Sequence, residues 1–122
     1  MSELPHHPVV WMEIPVTDLD AAQAFYGTVT GRTFTVQTDG PNPIAMFDGG
    51  GQDAVAGHLY PGTPARDGQG PTIHLSVAGA LEDALERVAE AGGRVLSPII
   101  PIPSGRFAYC QDLDGNSFGL FG

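Results

Sequence analysis

Glu13 and His74 carry the chemistry this sequence offers most directly. A carboxylate and an imidazole aimed into one cavity form an acid/base pair, which is enough to abstract a proton next to a carbonyl. The same two side chains are also two ligands of an irregular metal site, which would need two further donors that the sequence does not obviously supply. Each residue has a plainer reading. Glu13 can fix strand ends by burying its carboxylate against backbone donors or an arginine, and a buried carboxylate needs such a partner in any case. His74 can be a satisfied core histidine. What singles the two out is position, because they fall at equivalent places in a chain that repeats itself.

The repeat is visible in the pattern of elements. Val9-Val10-Trp11-Met12-Glu13-Ile14-Pro15-Val16 reads as a strand running into Thr17-Asp18 and then a helical pattern. Thr72-Ile73-His74-Leu75-Ser76-Val77 reads as a second strand followed by another helical pattern. Val16 recurs as Val77, and Gly31-Arg32 as Gly93-Arg94, a spacing of roughly 60 residues. In the first unit Asp18 is a good N-cap, and Leu19, Ala22, Phe25, Tyr26 and Val29 form an apolar stripe that Gly31 ends. Strands are expected over 33–38, 44–47 and 54–60, the last two as a hairpin around Asp48-Gly49-Gly50-Gly51. In the second unit Leu81, Ala84, Leu85, Val88 and Ala91 face the core, and Gly92-Gly93 closes the helix. Strands are expected over 94–97, 107–111 and 117–121, the last two joined by the turn Asp112-Leu113-Asp114-Gly115-Asn116.

Both units therefore read as strand, helix and three strands. Helices followed by mostly antiparallel runs exclude a doubly wound sheet. The expected fold is α+β: two tandem βαβββ modules forming one curved, mostly antiparallel sheet with the helices on its convex face. Module one spans about 8–60, a Pro/Gly-rich linker about 61–71 and module two about 72–122, as one domain over 1–122. The concave face between two half-sites is where a small molecule would sit.

Composition narrows the classes of partner. The 122 residues carry 14 acidic side chains against 5 basic ones, for a net charge of −9. Such a surface repels phosphate backbones and anionic headgroups, so neither nucleic acid nor membrane is an expected partner. The single cysteine cannot form an internal disulfide and fits a reducing, cytoplasmic setting. No apolar run is long enough for a membrane span, and Met1-Ser2-Glu3-Leu4 lacks the basic start of a signal peptide.

Glu13-Ile14-Pro15-Val16-Thr17-Asp18, then Ala24-Phe25-Tyr26 and Gly31, resembles the first module of the vicinal oxygen chelate superfamily. That superfamily holds glyoxalase I, the bleomycin-resistance proteins and the extradiol dioxygenases. Ala91-Gly92-Gly93-Arg94-Val95 and Asp112-Leu113-Asp114-Gly115-Asn116-Ser117-Phe118-Gly119-Leu120 resemble its second module, so the likeness covers nearly the whole chain. It is closest to small glyoxalase-like proteins whose reaction is generally unassigned. The resemblance implies a divalent metal on the concave face, with ligands on the first and last strands of each module. Those positions fall on Trp11 and Thr72, and on about Gly57 and Gly119. Trp and Gly offer no donor and Thr a poor one, so no metal and no other cofactor is expected.

If Trp11 and Thr72 point into the cavity, strand alternation points Glu13 and His74 in with them. By the same alternation Val55, Leu59, Ser117 and Phe121 line the site and His58 points away, as a structural or interfacial residue. Trp11, Tyr109 and Phe121 can stack on a planar ligand or simply pack in the core. The expected ligand-binding set is thus Trp11, Thr72, Val55, Leu59, Tyr109 and Phe121. His6 and His7 read as a solvated tail, and Cys110 as a small buried apolar residue. Gly49, Gly50 and Gly51 are turn residues without the strand-to-helix context of a phosphate loop. Asp112 and Asp114 read as part of a hairpin turn rather than a calcium loop.

Two functions follow. One is a metal-free module of the bleomycin-resistance kind that sequesters or senses a small molecule. The other is a metal-independent lyase or isomerase using Glu13 and His74 for proton transfer. A subunit or sensor whose surface matters more than its cavity is a third, for which the sequence shows no partner motif. The resemblance also implies a homodimer.

Overall fold

The computed structural model describes residues 8–49, 51 and 54–122. His6, His7 and Gly50 lie outside them, so the readings made for those three are not addressed by it. Module one runs β1 (Trp11–Val16), α1 (Leu19–Thr30), β2 (Phe34–Gln37), β3 (Ile44–Phe47) and β4 (Ala56–Pro61). Module two runs β5 (Ile73–Ser76), α2 (Leu81–Glu90), β6 (Arg94–Val95), β7 (Ile100–Ile102), β8 (Gly105–Gln111) and β9 (Ser117–Phe121). The α+β class and the repeated βαβββ plan stand. Module two carries one strand more than expected: β7 lies in the Pro-rich link and pairs antiparallel with β8 through Ile100–Phe107 and Ile102–Gly105.

The helices end where local chemistry ends them. Asp18 accepts a hydrogen bond from the Ala21 amide, and Gly31 at φ 80° returns its own amide to the Gly27 carbonyl. In α2 the apolar residues Leu81, Ala84 and Val88 are buried, and Gly92 at φ 99° turns the chain away.

The strands hydrogen-bond as two sheets, one per module, rather than as one continuous sheet. Their orders are β1-β4-β3-β2 and β5-β9-β8-β6. The equivalent edges are β1, which pairs parallel with β4, and β5, which pairs parallel with β9. Both helices contribute to a single core between the modules, with Ile14, Val16, Leu59, Leu75, Phe118 and Leu120 packed beneath them. Phe25, Tyr26 and Phe118 meet edge-on there, with ring centroids 5.1–5.9 Å apart.

The modules are also joined by a polar clamp. The buried Tyr26 hydroxyl donates to Asp112 Oδ2 at 2.6 Å, and Asn116 Nδ2 donates to the same oxygen and to the Pro15 carbonyl. Asp112 Oδ1 accepts the amides of Asp114 and Asn116, while Asp114 takes the Thr17 amide and hydroxyl. Burial, and then the adjacent carboxylate, hold the Tyr26 hydroxyl protonated far above its ordinary range. The 112–116 turn thus uses its acids to bind module two to module one. The linker docks on the same turn, where the Gly68 amide donates to the Gly115 carbonyl.

Candidate functional site

On β1, Ile14 and Val16 point into the core, which sends Trp11 and Glu13 to the opposite face. The parallel ladder sets Trp11 opposite Ala56 and Glu13 opposite His58. Cross-strand partners share a face, so β4 presents Ala56, His58 and Tyr60 beside Glu13. The alternation argument was therefore one residue out of step on this strand. His58 belongs to the face it was expected to leave. Leu59 is fully buried between Ile14 and Ala45 and is a core residue, not part of a ligand surface.

His58 is held at both nitrogens. The Trp11 indole donates to Nδ1 at 3.0 Å, and Nε2 lies 3.0 Å from a Glu13 carboxylate oxygen. An indole N–H can only donate, so Nδ1 must be the unprotonated nitrogen and Nε2–H the donor to Glu13. The carboxylate is itself 63% exposed, against 13% for the imidazole side chain. Glu13 is consequently an accessible acceptor with one oxygen fixed in place. It borders a cavity of about 360 Å³ with Gln37, Asp39, Asn42, Ile44 and Tyr60. On its other side is one of about 210 Å³ bounded by Pro15, Thr63, Gln69, Ile73 and Ser117.

His74 occupies the matching place in module two. Its partner on β9 is Gly119, and its imidazole lies over that glycine so closely that a Cβ there would overlap Nδ1. Phe107 and Tyr109 on β8 stand edge-on to the ring at 5.2 and 5.8 Å. Phe121 lies beside them with its ring over Gly105, and the Thr72 and Ser117 hydroxyls hydrogen-bond to each other. Tyr109 is exposed, Phe121 and Thr72 half-buried.

A cavity of about 420 Å³ lies between the modules against the free edge of β5. Val55, Thr72 and His74 line it together with Met12, Phe47 and Arg32. Glu13 is not among its walls, so the structure does not bring Glu13 and His74 into one cavity. Arg32 and His58 are the residues that sequence reasoning missed. The parallel β1–β4 register would have revealed His58, and nothing local in the sequence marked Arg32.

Cys110 is a buried free thiol on β8, and burial pushes its pKa up to about 11. That keeps it protonated and inert, as expected of a structural cysteine.

A sequence model of the Glyoxalase/Bleomycin resistance protein/Dioxygenase superfamily matches residues 6–120. The chain belongs to this superfamily. A curated protein of Mycobacterium tuberculosis with a provisional glyoxylase name, CFP32, is 31% identical over 116 residues. The match takes in 92% of this chain but only 42% of that protein, so the chain spans about two-fifths of its curated relative. A glyoxylase/bleomycin resistance protein/dioxygenase domain from a Frankia species shares the fold with TM-score 0.69 at 22% identity, covering 96% of this chain and 98% of that one. A point mutant of FosX, a fosfomycin resistance protein of Listeria monocytogenes, was solved with Mn(II) and 1S,2S-dihydroxypropylphosphonic acid. It also reaches 0.69, at 16% identity over 97% of this chain and 93% of that one.

The superfamily fold implies a metal on the concave face, and the residues present test that implication. The strand pairing makes His58, rather than Gly57, the counterpart of Gly119: each stands opposite one of the equivalent residues Glu13 and His74. The four ligand positions are then Trp11, His58, Thr72 and Gly119. One imidazole replaces one glycine in the expected set, and both of its nitrogens are already engaged. Among the described residues no group of three or more His, Cys, Asp or Glu side chains is placed to hold a metal ion. This donor set does not fit the superfamily's metal.

Proposed function

We propose that this chain is a small-molecule-binding member of the glyoxalase/bleomycin-resistance superfamily that works without the superfamily's metal. The observation that carries the reading is the Trp11–His58–Glu13 chain, which spends both imidazole nitrogens of the one donor at a ligand position. The exposed aromatic and carboxylate side chains on the same face offer a ligand stacking surface and a fixed hydrogen-bond acceptor. A homodimer and a cytoplasmic setting belong to the proposal. The strand edges left free by β1 and β5 and the exposed Trp11 and Tyr109 support the former. The lone, buried, unreactive cysteine supports the latter.

The deciding experiment is elemental mass spectrometry of tag-free protein before and after incubation with nickel, zinc, manganese and iron. Less than a tenth of a metal ion per chain is the expected result, and about one tightly held ion per chain would overturn the proposal. Thermal-shift screening of small molecules on the same material then tests binding itself.

A metal-independent lyase or isomerase is the second reading, favoured by the accessible, His58-anchored carboxylate of Glu13. His74 lines another cavity, so Glu13 alone would be the base in a single chain. Glu13→Gln would abolish turnover in this reading and leave ligand binding nearly intact in the first. Normal turnover by that variant on a verified substrate would remove Glu13 from the chemistry.

A further inference from the structure

The cavity between the modules has a charged side chain fitted into its wall. Arg32 follows the C-cap of α1, and its guanidinium reaches across to module two. Nη1 donates to the Asp48 carbonyl at 3.3 Å and Nη2 to the Ser76 hydroxyl at 2.8 Å. Gly49 makes room for it: at φ 102° this residue lies in the left-handed region, and a Cβ there would come 2.8 Å from Nη1. The neighbouring acid does not neutralise the charge. Asp48 turns its carboxylate to the Thr33 and Thr35 hydroxyls, at 2.9 and 2.6 Å, and offers Arg32 only its carbonyl. Among the described residues Arg32 forms no ion pair.

The other walls are of a different kind. Met12, Phe47, Val55, Ile73 and Leu75 make the cavity largely apolar, with His74 at its edge. Among the described residues two of the five guanidinium N–H groups have hydrogen-bond partners and three do not. A half-buried guanidinium beside apolar side chains is best satisfied by a planar anion that it can bind with two parallel hydrogen bonds. A dianionic phosphate would leave charge uncompensated against a single cation and these walls.

We infer that this intermodular cavity binds a small organic monocarboxylate, its carboxylate on Arg32 and its apolar body against Phe47, Val55 and Ile73. The site is separate from the Glu13 face and stands whether or not that face binds a ligand. At about 420 Å³ it is of the size that holds a small molecule.

The test uses the full chain, labelled with nitrogen-15 and with backbone amides and the Arg32 Nε–H assigned. Benzoate and hexanoate are each titrated in parallel with the corresponding uncharged amide. The expected result is saturable movement of the Arg32 Nε–H and of the amides of 54–56 and 72–76, with the amides of the two acids at least tenfold weaker. Arg32→Lys keeps the charge but loses the fork, and should weaken acid binding about tenfold or more. Three results overturn the inference: no saturable shift with either acid at millimolar concentration, equal binding of acid and amide, or shifts centred on β1 and β4 around His58. The wild-type titration decides the matter even if the variant fails to fold.

Discussion

Gly119 is where the superfamily's fold expects a metal-binding side chain, and the structure gives a reason for its being glycine. The residue is buried and is not among those held at positive φ, so backbone conformation does not require glycine there. The constraint is His74, whose Nδ1 and Cε1 occupy the space a Cβ would enter. Gly119→Ala should therefore expel the imidazole and remove its edge-on contacts with Phe107 and Tyr109. Each such contact is worth about 0.5–1.5 kcal/mol, so the loss is about 1–3 kcal/mol. Replacing glycine within a strand returns about 0.5–1 kcal/mol of backbone entropy, which leaves a net destabilisation of about 0–2.5 kcal/mol. The double-mutant cycle with His74→Ala isolates the cause, because it removes the ring atoms that lie nearest the added methyl group. In that background Gly119→Ala should be neutral or slightly stabilising, giving a coupling of about 1–3 kcal/mol by urea unfolding. An equal cost in both backgrounds would show that His74 does not dictate the glycine.

Two further predictions concern the frame around the site. Tyr26→Phe removes one hydrogen bond from the buried Asp112 carboxylate, which should cost about 2 kcal/mol and lower the melting temperature by roughly 5–10 °C. A melting temperature within a degree of wild type would mean that Asn116 and the turn amides hold Asp112 unaided. Arg106 donates two hydrogen bonds to Glu82, and these, ahead of the helix's own amide, lower that carboxyl from 4.5 to about 2. Because the folded value is depressed, the pair's stabilisation is present above pH 4.5 and fades as pH falls towards 2. The pair lies at the surface, so its contribution to stability is small. A carboxyl NMR titration of Arg106→Gln should move Glu82 back towards 4.5. An unchanged titration would show that the arginine is not the cause.

The parts of the fold that read correctly are those written in local chemistry. Asp18 and Gly31 bound α1, the Leu81/Ala84/Val88 stripe marks α2, and the Asp112–Asn116 turn joins β8 to β9, all from interactions within a few residues. The strand β7 was missed because Pro101 cannot donate to a ladder, although on a short outer strand beside β8 it does not need to. On β4 the expected facing of the side chains was out by one residue. A shift of one residue moves every side chain to the other face, and it exchanged His58 for Leu59. Local pattern cannot fix that register, because β4 answers to β1, 45 residues earlier, through parallel pairing. Arg32 was invisible for a related reason: Asp48 and Ser76, which seat it, come from β3's end and from the other module.

The residues at the four ligand positions are each tied to a neighbour. On module two the imidazole of His74 fills the volume that a side chain at 119 would need. On module one the indole at position 11 occupies Nδ1 of His58, while Glu13 occupies Nε2. Introducing a donor at one position would thus meet resistance from a neighbour that occupies its space or its hydrogen bond. Gly119→Glu would collide with His74, and Trp11→His would remove the donor that fixes the tautomer of His58. Building a metal site here would take changes at several positions together. The present arrangement is a self-consistent alternative in which the same backbone places hold an anchored carboxylate on one module and an aromatic platform on the other.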